Sequence, residues 1–388
     1  MAVWKDLSLS AVVAGFVTVL VGFTSSAVIV FQAATALHAT PGQIASWMWA
    51  LGLGMGLTCI ALSLRYRMPV VTAWSTPGAA MLITGAAGVS LPEATGAFLL
   101  SAVLISIAGF TGFFERALNR IPLSLASALL AGILVRFGMD AFVAMKTQFL
   151  LAFAMFIAYL GGRRFKPRYA VMVALAVGVA VAAAQGLLRF DTVRLAFAVP
   201  EFVRPDFTIS SLVGVGLPLF VVTMASQNVP GVAAIRASGF AVPLSPVIGW
   251  VGVTNVVLAP FGAFALNLAA ITAAICMGRE AHEDPARRYM ASVAGGVFYV
   301  LIGLFGATVG ALFAAFPREL VMAIAGLALI GTIGNGLAVA LTNEREREPA
   351  LVAFLITASG VSLLGIGSAF WGVVGGVVVM GVLRPRSS

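Results

Sequence analysis

Charge is scarce in this chain. Only 10% of its 388 residues are Asp, Glu, Lys or Arg, against roughly 25% in a soluble globular domain. No charged residue occurs from Leu7 to Leu64, from Ala237 to Gly278, or from Pro349 to Leu383. A helix of about 20 apolar residues crosses a hydrocarbon core about 30 Å thick, so these runs exclude a water-soluble fold. Histidine and cysteine number two each. His38 and His282 fall in or near loops, and Cys59 and Cys276 sit in apolar stretches without a CxxC neighbour. Neither a disulfide framework nor a metal centre can be built on that pattern. The cysteines read as packing residues, and no metal or cofactor is expected. Paired intramembrane carboxylates are missing, which argues against a membrane-embedded enzyme. Rings of charge and a carbonyl-filter sequence are missing too, which argues against a channel.

What is present is apolar residue and glycine. Hydrophobic residues make up 61% of the chain, and the 42 glycines suit close helix packing. Short alternating strands with polar turns, the mark of a membrane barrel, do not occur. The fold class is therefore an all-α polytopic membrane protein. The net charge of +9 reads as basic cytoplasmic loops rather than a nucleic-acid surface. Lys5 before an apolar run and Ala34-Thr35-Ala36 imitate a signal peptide. The run is too long for one, so it reads as an uncleaved first helix.

Loop charges divide the chain into about fourteen segments. The first seven lie near 9–36, 43–64, 69–86, 93–114, 121–138, 147–161 and 169–187. The second seven lie near 209–235, 244–259, 260–278, 288–308, 317–341, 350–366 and 369–383. Segments five and six are short, which leaves twelve or thirteen as alternatives. With the N-terminus in the cytoplasm, 17 of the 23 Lys and Arg fall inside. The positive-inside rule thus favours both termini in the cytoplasm and fourteen segments.

The halves echo each other at an offset near 195. Pro122 answers Pro317, Ala131-Gly132 answers Ala325-Gly326, and Gln32 answers Gln227. Seven segments per half is odd, so the second copy enters from the opposite side. The expectation is a 7+7 inverted repeat, 1–200 and 201–388, a common plan among secondary transporters.

Function is sought where the apolar helices break. Segment three holds Val70 to Trp74, β-branched and aromatic, then Ser75-Thr76-Pro77. An extended stretch should lead into a half-helix with Thr76 as N-cap and Pro77 at its first position. Segment ten breaks at Ala259-Pro260-Phe261-Gly262, and a half-helix is expected from about Ala265 to Gly278, with Asn267 near the midplane. The two N-termini would point at one centre and suit an anionic ligand. In segment eight, Thr223 and Ser226-Gln227-Asn228 interrupt an apolar helix before Pro230. Such amides should face a cavity or a partner helix. Candidate substrate-binding residues are Ser75, Thr76, Gln227, Asn228, Phe264, Asn267, Gln32 and Phe31. Thr24-Ser25-Ser26 reads as local and interhelical bonding, and Asp140 as a carboxylate ion-paired with Arg136.

Three stretches carry a family resemblance: Trp74-Ser75-Thr76-Pro77-Gly78-Ala79, Ser226-Gln227-Asn228-Val229-Pro230-Gly231, and Pro260-Phe261-Gly262 through Asn267-Leu268-Ala269. With the N-terminal Gly22-Phe23-Thr24-Ser25-Ser26, they resemble the benzoate/proton symporter (BenE-type) family over nearly the whole chain. More distantly they resemble the nucleobase–ascorbate transporters. The resemblance implies a short strand and a half-helix in segments three and ten. It implies a core of segments 1–4 and 8–11 and a gate of segments 5–7 and 12–14. It also implies import of a small aromatic carboxylate with a proton across a bacterial inner membrane, and is compatible with a homodimer. A nucleobase-like or other hydrophobic organic anion is the alternative. The nucleobase family has carboxylates where Ser226-Gln227-Asn228 and Ala265-Leu266-Asn267 stand here. Their loss suits an anionic substrate and leaves no acid or histidine at midplane depth to carry the proton.

Overall fold

The computed structural model describes residues 6–85, 88–118, 122–189, 197–306, 315–361, 363 and 368–383. Lys5, Arg120, Ile121, Arg194, Arg384 and Arg386 lie outside this set, as do the side chains of Thr24 and Ser25. The elements run α1 (Leu9–Ala36), α2 (Pro41–Tyr66), β1 (Thr72–Trp74), α3 (Thr76–Gly85), α4 (Leu91–Phe110), α5 (Phe113–Leu118), α6 (Leu123–Val143), α7 (Phe149–Phe165) and α8 (Ala170–Ala184). Then come α9 (Ile209–Ala237), α10 (Leu244–Leu258), β2 (Leu266–Leu268), α11 (Ile271–Met277), α12 (Tyr289–Leu304), α13 (Arg318–Thr342), α14 (Glu344–Ser359) and α15 (Ser368–Leu383). Six of the described helices have the length and apolarity to cross a bilayer.

Local sequence explains most boundaries. Thr40 and Gln43 form a capping box at the start of α2, with Pro41 in its first turn. Ser90 and Glu93 do the same for α4, with Pro92. Each box satisfies two of the amide groups that a helix start leaves open. Helices α6 and α7 continue past the apolar stretches that predict them and take in Asp140, Arg163 and Arg164. Asp140 makes no ion pair among the described residues; Arg136 instead reaches toward Gly360. The expected Arg136–Asp140 pair is thereby corrected.

Helix pairs exchange at the repeat offset. Helix α2 packs on α12 where Gly52 meets Gly303, and α4 packs on α10 where Gly109 meets Gly249. A Cβ on Gly52 would stand 2.5 Å from the Gly303 backbone, and one on Gly109 would stand 2.2 Å from that of Gly249. Glycine is required at both crossings because the backbones themselves touch. Helix α6 packs on α13, its own counterpart at that offset.

The outer faces are apolar. Along α7, Phe149, Phe153, Ile157 and Leu160 are exposed, while Ala152, Met155 and Tyr159 on the other face are buried. Water would not tolerate such a stripe on a monomer, whereas lipid does. The interior holds one large cluster joining α1, α2, α4, α9, α10, α11 and α12.

Candidate functional site

Segments three and ten meet as a two-stranded antiparallel ribbon. Thr72 pairs with Leu268, Ala73 with Asn267, and Trp74 with Leu266. Three residues per strand leave most edge groups without a strand partner, and an unpaired amide at this depth costs several kcal/mol. Side chains from neighbouring helices fill the gap. On β2, the Asn255 amide donates to the Leu266 carbonyl at 2.9 Å, and the Leu266 N–H donates to Asn255 Oδ1 at 2.8 Å. The Leu268 N–H donates to Asn228 Oδ1 at 3.0 Å. On β1, the Thr72 N–H donates to Cys59 Sγ at 3.2 Å, and the Thr72 hydroxyl shares a bond with Thr58 at 2.7 Å. Ser63 both accepts from Val70 N–H and donates to Val70 carbonyl.

Two departures from the expected half-helices follow. Ser75, not Thr76, caps α3: its Oγ accepts from Gly78 N–H at 3.0 Å, so Thr76 and Pro77 form the first turn. The helix of segment ten begins at Ile271, six residues later than expected, and has seven residues. Leu266 to Leu268 cannot join it because their backbone pairs with β1. Gly262 at φ +102° and Ala265 at φ +47° make the sharp approach to that strand. A Cβ on Gly262 would fall 1.9 Å from Trp47 Cδ1, so this position excludes any side chain.

Segment eight remains helical through Ser226-Gln227-Asn228, but Met224–Asn228 winds as a π turn. Pro230 lacks an N–H and its ring crowds the carbonyl four residues back. Widening the turn relieves that conflict. Helix π turns recur at functional sites. This one lies against β2, and Gly231 comes so close that a Cβ there would meet Leu268 at 2.6 Å.

The predicted residues divide into three groups. Ser75, Asn228 and Phe264 are fully engaged by the protein. Phe264 lies in an aromatic cluster, with ring centroids 5.4 Å from Trp47 and 6.0 Å from Phe98. Asn228 also donates to Met224 Sδ at 3.1 Å. Thr76, Gln227 and Asn267 stand at the crossing with polar groups in reserve. Thr76 and Gln227 are half-buried. Asn267 is 0% exposed; its amide nitrogen donates to the Ala265 carbonyl at 2.9 Å, and its Oδ1 has no partner among the described residues. The Ala73–Asn267 pair holds Thr76 within about 16 Å of Asn267, by strand spacing and chain reach. Phe31 is half-buried and Gln32 exposed, both beyond Ser26 on α1. Ser26 accepts from Trp74 Nε1 at 2.8 Å and donates to the Gly22 carbonyl at 3.1 Å, which ties α1 to β1.

Asn255, Thr58 and Thr72 were not singled out from the sequence, and Cys59, read there as a packing residue, also accepts from the Thr72 N–H. Asn255 had a usable signal, an amide inside an apolar helix. A cavity of about 620 Å³ lies at the far end of α11, lined by Arg163, Met277, Arg279, Glu280, Gly331 and Asn335 among others. Beside it Arg288 caps α11, donating to the Met277 carbonyl at 2.8 Å. Burial pulls the Arg288 guanidinium below its usual value, and Glu280 opposes that pull.

Paired broken segments meeting inside an apolar helical body are the plan of a membrane transport protein. The chain belongs to the benzoate membrane transport protein family (BenE), whose sequence profile matches residues 5–382. It is 49% identical over 371 residues to the inner membrane protein YdcO of Escherichia coli (strain K12), covering 96% of this chain and 95% of that one. It is 40% identical over 385 residues to the benzoate membrane transport protein of Acinetobacter baylyi (strain ATCC 33305 / BD413 / ADP1), covering 99% and 98%. Solved structures with some likeness include SLC26A9, at TM-score 0.49 and 12% identity over 98% of this chain and 66% of that one. The transmembrane domain of the cyanobacterial bicarbonate transporter BicA gives TM-score 0.45 and 11% identity, over 96% and 98%.

Proposed function

We propose that this protein imports benzoate, or a similar small aromatic carboxylate, together with a proton across a bacterial inner membrane. The family and its benzoate-transporting relative support the substrate. The observation that carries the site is the strand crossing, where Thr76, Gln227 and Asn267 keep polar groups in reserve. The fold reading is fourteen spans in a 7+7 inverted repeat, both termini cytoplasmic. Segments 1–4 and 8–11 form the core, and segments 5–7 and 12–14 the gate. The helix pairs that exchange at the repeat offset support it.

Roles follow from donor and acceptor chemistry. A carboxylate accepts only, so its partners are the Thr76 hydroxyl and the Gln227 amide. Asn267 offers an acceptor oxygen, which suits water or the O–H of a protonated acid rather than a carboxylate. Phe31 and Trp74 supply nearby apolar surface for a ring. The crossing strands and the stretch 207–235 carry no formal charge, so positive potential comes from helix dipoles and suits one carboxylate better than two.

Carrying an anion inward against an inside-negative potential costs about 2.3 kcal/mol per 100 mV. One proton per anion removes that cost. Labelled benzoate uptake into proteoliposomes under an imposed pH gradient tests the reading. Uptake should rise as external pH falls and collapse with a protonophore. Protein-free liposomes and a Gln227 variant control for benzoic acid leaking through lipid. Wild-type uptake equal to both at every pH would sink symport, and uptake that follows uracil or xanthine would move the substrate to the nucleobase class.

A further inference from the structure

The cleft at the far end of α11 has chemistry that the crossing does not use. Its volume, about 620 Å³, falls among small-molecule sites, about 300–1,000 Å³. Helix α11 joins it to the crossing: Ile271 follows β2, and Met277 lines the cleft. Seven helical residues rise only about 10 Å. The cleft is bounded by the end of α11 on one side and by α7 and α13 on the other.

Three arginines line this space, and they are not equivalent. Arg288 is buried and spends its guanidinium on the carbonyls of Met277, His282 and Glu283. Arg279 is exposed and makes no ion pair among the described residues. Arg163 is 41% exposed and uses one nitrogen, Nη1, at 3.1 Å from Glu280 Oε1. Its guanidinium carbon lies 6.0 Å from the centroid of the Tyr159 ring. The fork is thus held from two sides while its other donors remain available. Glu280 is a built-in counter-charge, 8% exposed. Its oxygens lie 2.8 Å and 3.3 Å from where side chains on Gly278 and Gly331 would begin, so both glycines make room for it.

We propose that this cleft is a second anion site, in which Arg163 receives the carboxylate of an aromatic acid released from the crossing. Met277 and Leu130 supply apolar wall for the ring. Glu280 orients Arg163 and offsets its charge, so the anion is held loosely and departs. The inference rests on the aromatic-carboxylate reading above, and its test separates the two.

Benzoate is titrated calorimetrically into the purified full-length chain. Glu280→Gln keeps an acceptor for Arg163 and removes the negative charge. A second benzoate should then bind about tenfold more tightly than in wild type, as expected for losing one nearby like charge. Arg163→Gln should abolish that second event and leave the Gln227-dependent one. Arg163→Lys, which keeps charge without the fork, should give an intermediate affinity and covers the case in which Arg163→Gln does not fold. Unchanged stoichiometry and affinity in Glu280→Gln and Arg163→Lys, with melting temperature lowered in both, would make the pair a structural tie and overturn the second site. One benzoate site that depends on Gln227 and ignores Arg163 would overturn it while keeping the substrate reading. No saturable benzoate binding in any variant would overturn both.

Discussion

The two broken segments share a plan and differ in chemistry. Segment three holds its strand with hydroxyls and a thiol from α2, at Thr58, Cys59 and Ser63, and caps its ten-residue helix with Ser75. Segment ten holds its strand with two amides, Asn255 and Asn228, and its seven-residue helix has Ala270 as N-cap, without a side-chain cap. A hydroxyl works through a single oxygen close to its own helix, as Ser63 does in serving both the N–H and the carbonyl of Val70. An amide carries a donor and an acceptor on one rigid plane, so Asn255 serves both polar groups of Leu266 as a third strand would. The two segments therefore share where the backbone breaks, while each satisfies its exposed peptide groups with different side chains. The broken segment with less local capping is also the one in which a buried side-chain oxygen, Asn267 Oδ1, has no partner among the described residues.

The largest effect should come from Asn255→Ala. It strands both the N–H and the C=O of Leu266, and each buried orphan costs about 1–3 kcal/mol. A loss of roughly 2–6 kcal/mol should appear as a collapse in folded yield and melting temperature. A near-neutral result would mean that water or a shifted backbone replaces the amide, and the third-strand comparison would break. Gln227 and Asn228 sharpen it next. Gln227→Ala should raise the benzoate Kd about ten- to hundredfold, the worth of a hydrogen bond to a charged group, with melting temperature held. Asn228→Ala should do the reverse and lower stability by about 1–3 kcal/mol through the orphaned Leu268 N–H. Equal effects on affinity and stability in both variants would erase the division between binding and bracing. Ser75→Ala should be the mildest, at about 1 kcal/mol for a lost N-cap. If thermal unfolding shows Ser75→Ala costing more than Asn255→Ala, the first half rather than the second is the weakly anchored one.

Much of this was legible in sequence. Charge-free runs bounded by charged residues mark the helices, and Thr76-Pro77 and Pro260 mark both breaks. The onset of α11 was misplaced because Ala265-Leu266-Asn267-Leu268 contains nothing that forbids a helix. Its extended form depends on a strand partner nearly two hundred residues away. The one-residue error at Ser75 has a smaller cause: Ser and Thr are both good caps, and only the geometry selects between neighbours. Gln32 matched Gln227 by offset, yet Gln32 is exposed and Gln227 half-buried, since a repeat in sequence does not equalise what packs around each copy.

By itself, the sequence determined that this chain belongs in lipid, roughly where it crosses, and where its helices cannot continue. Those properties follow from local composition, because transfer into hydrocarbon adds up residue by residue and proline acts on its own turn. Only the tertiary structure decided which polar groups are spent and which remain open. Asn228 and Gln227 are adjacent and chemically alike, but only the first has the Leu268 N–H within reach. Hydrogen bonds belong to pairs, and here the partners are chosen by the fold.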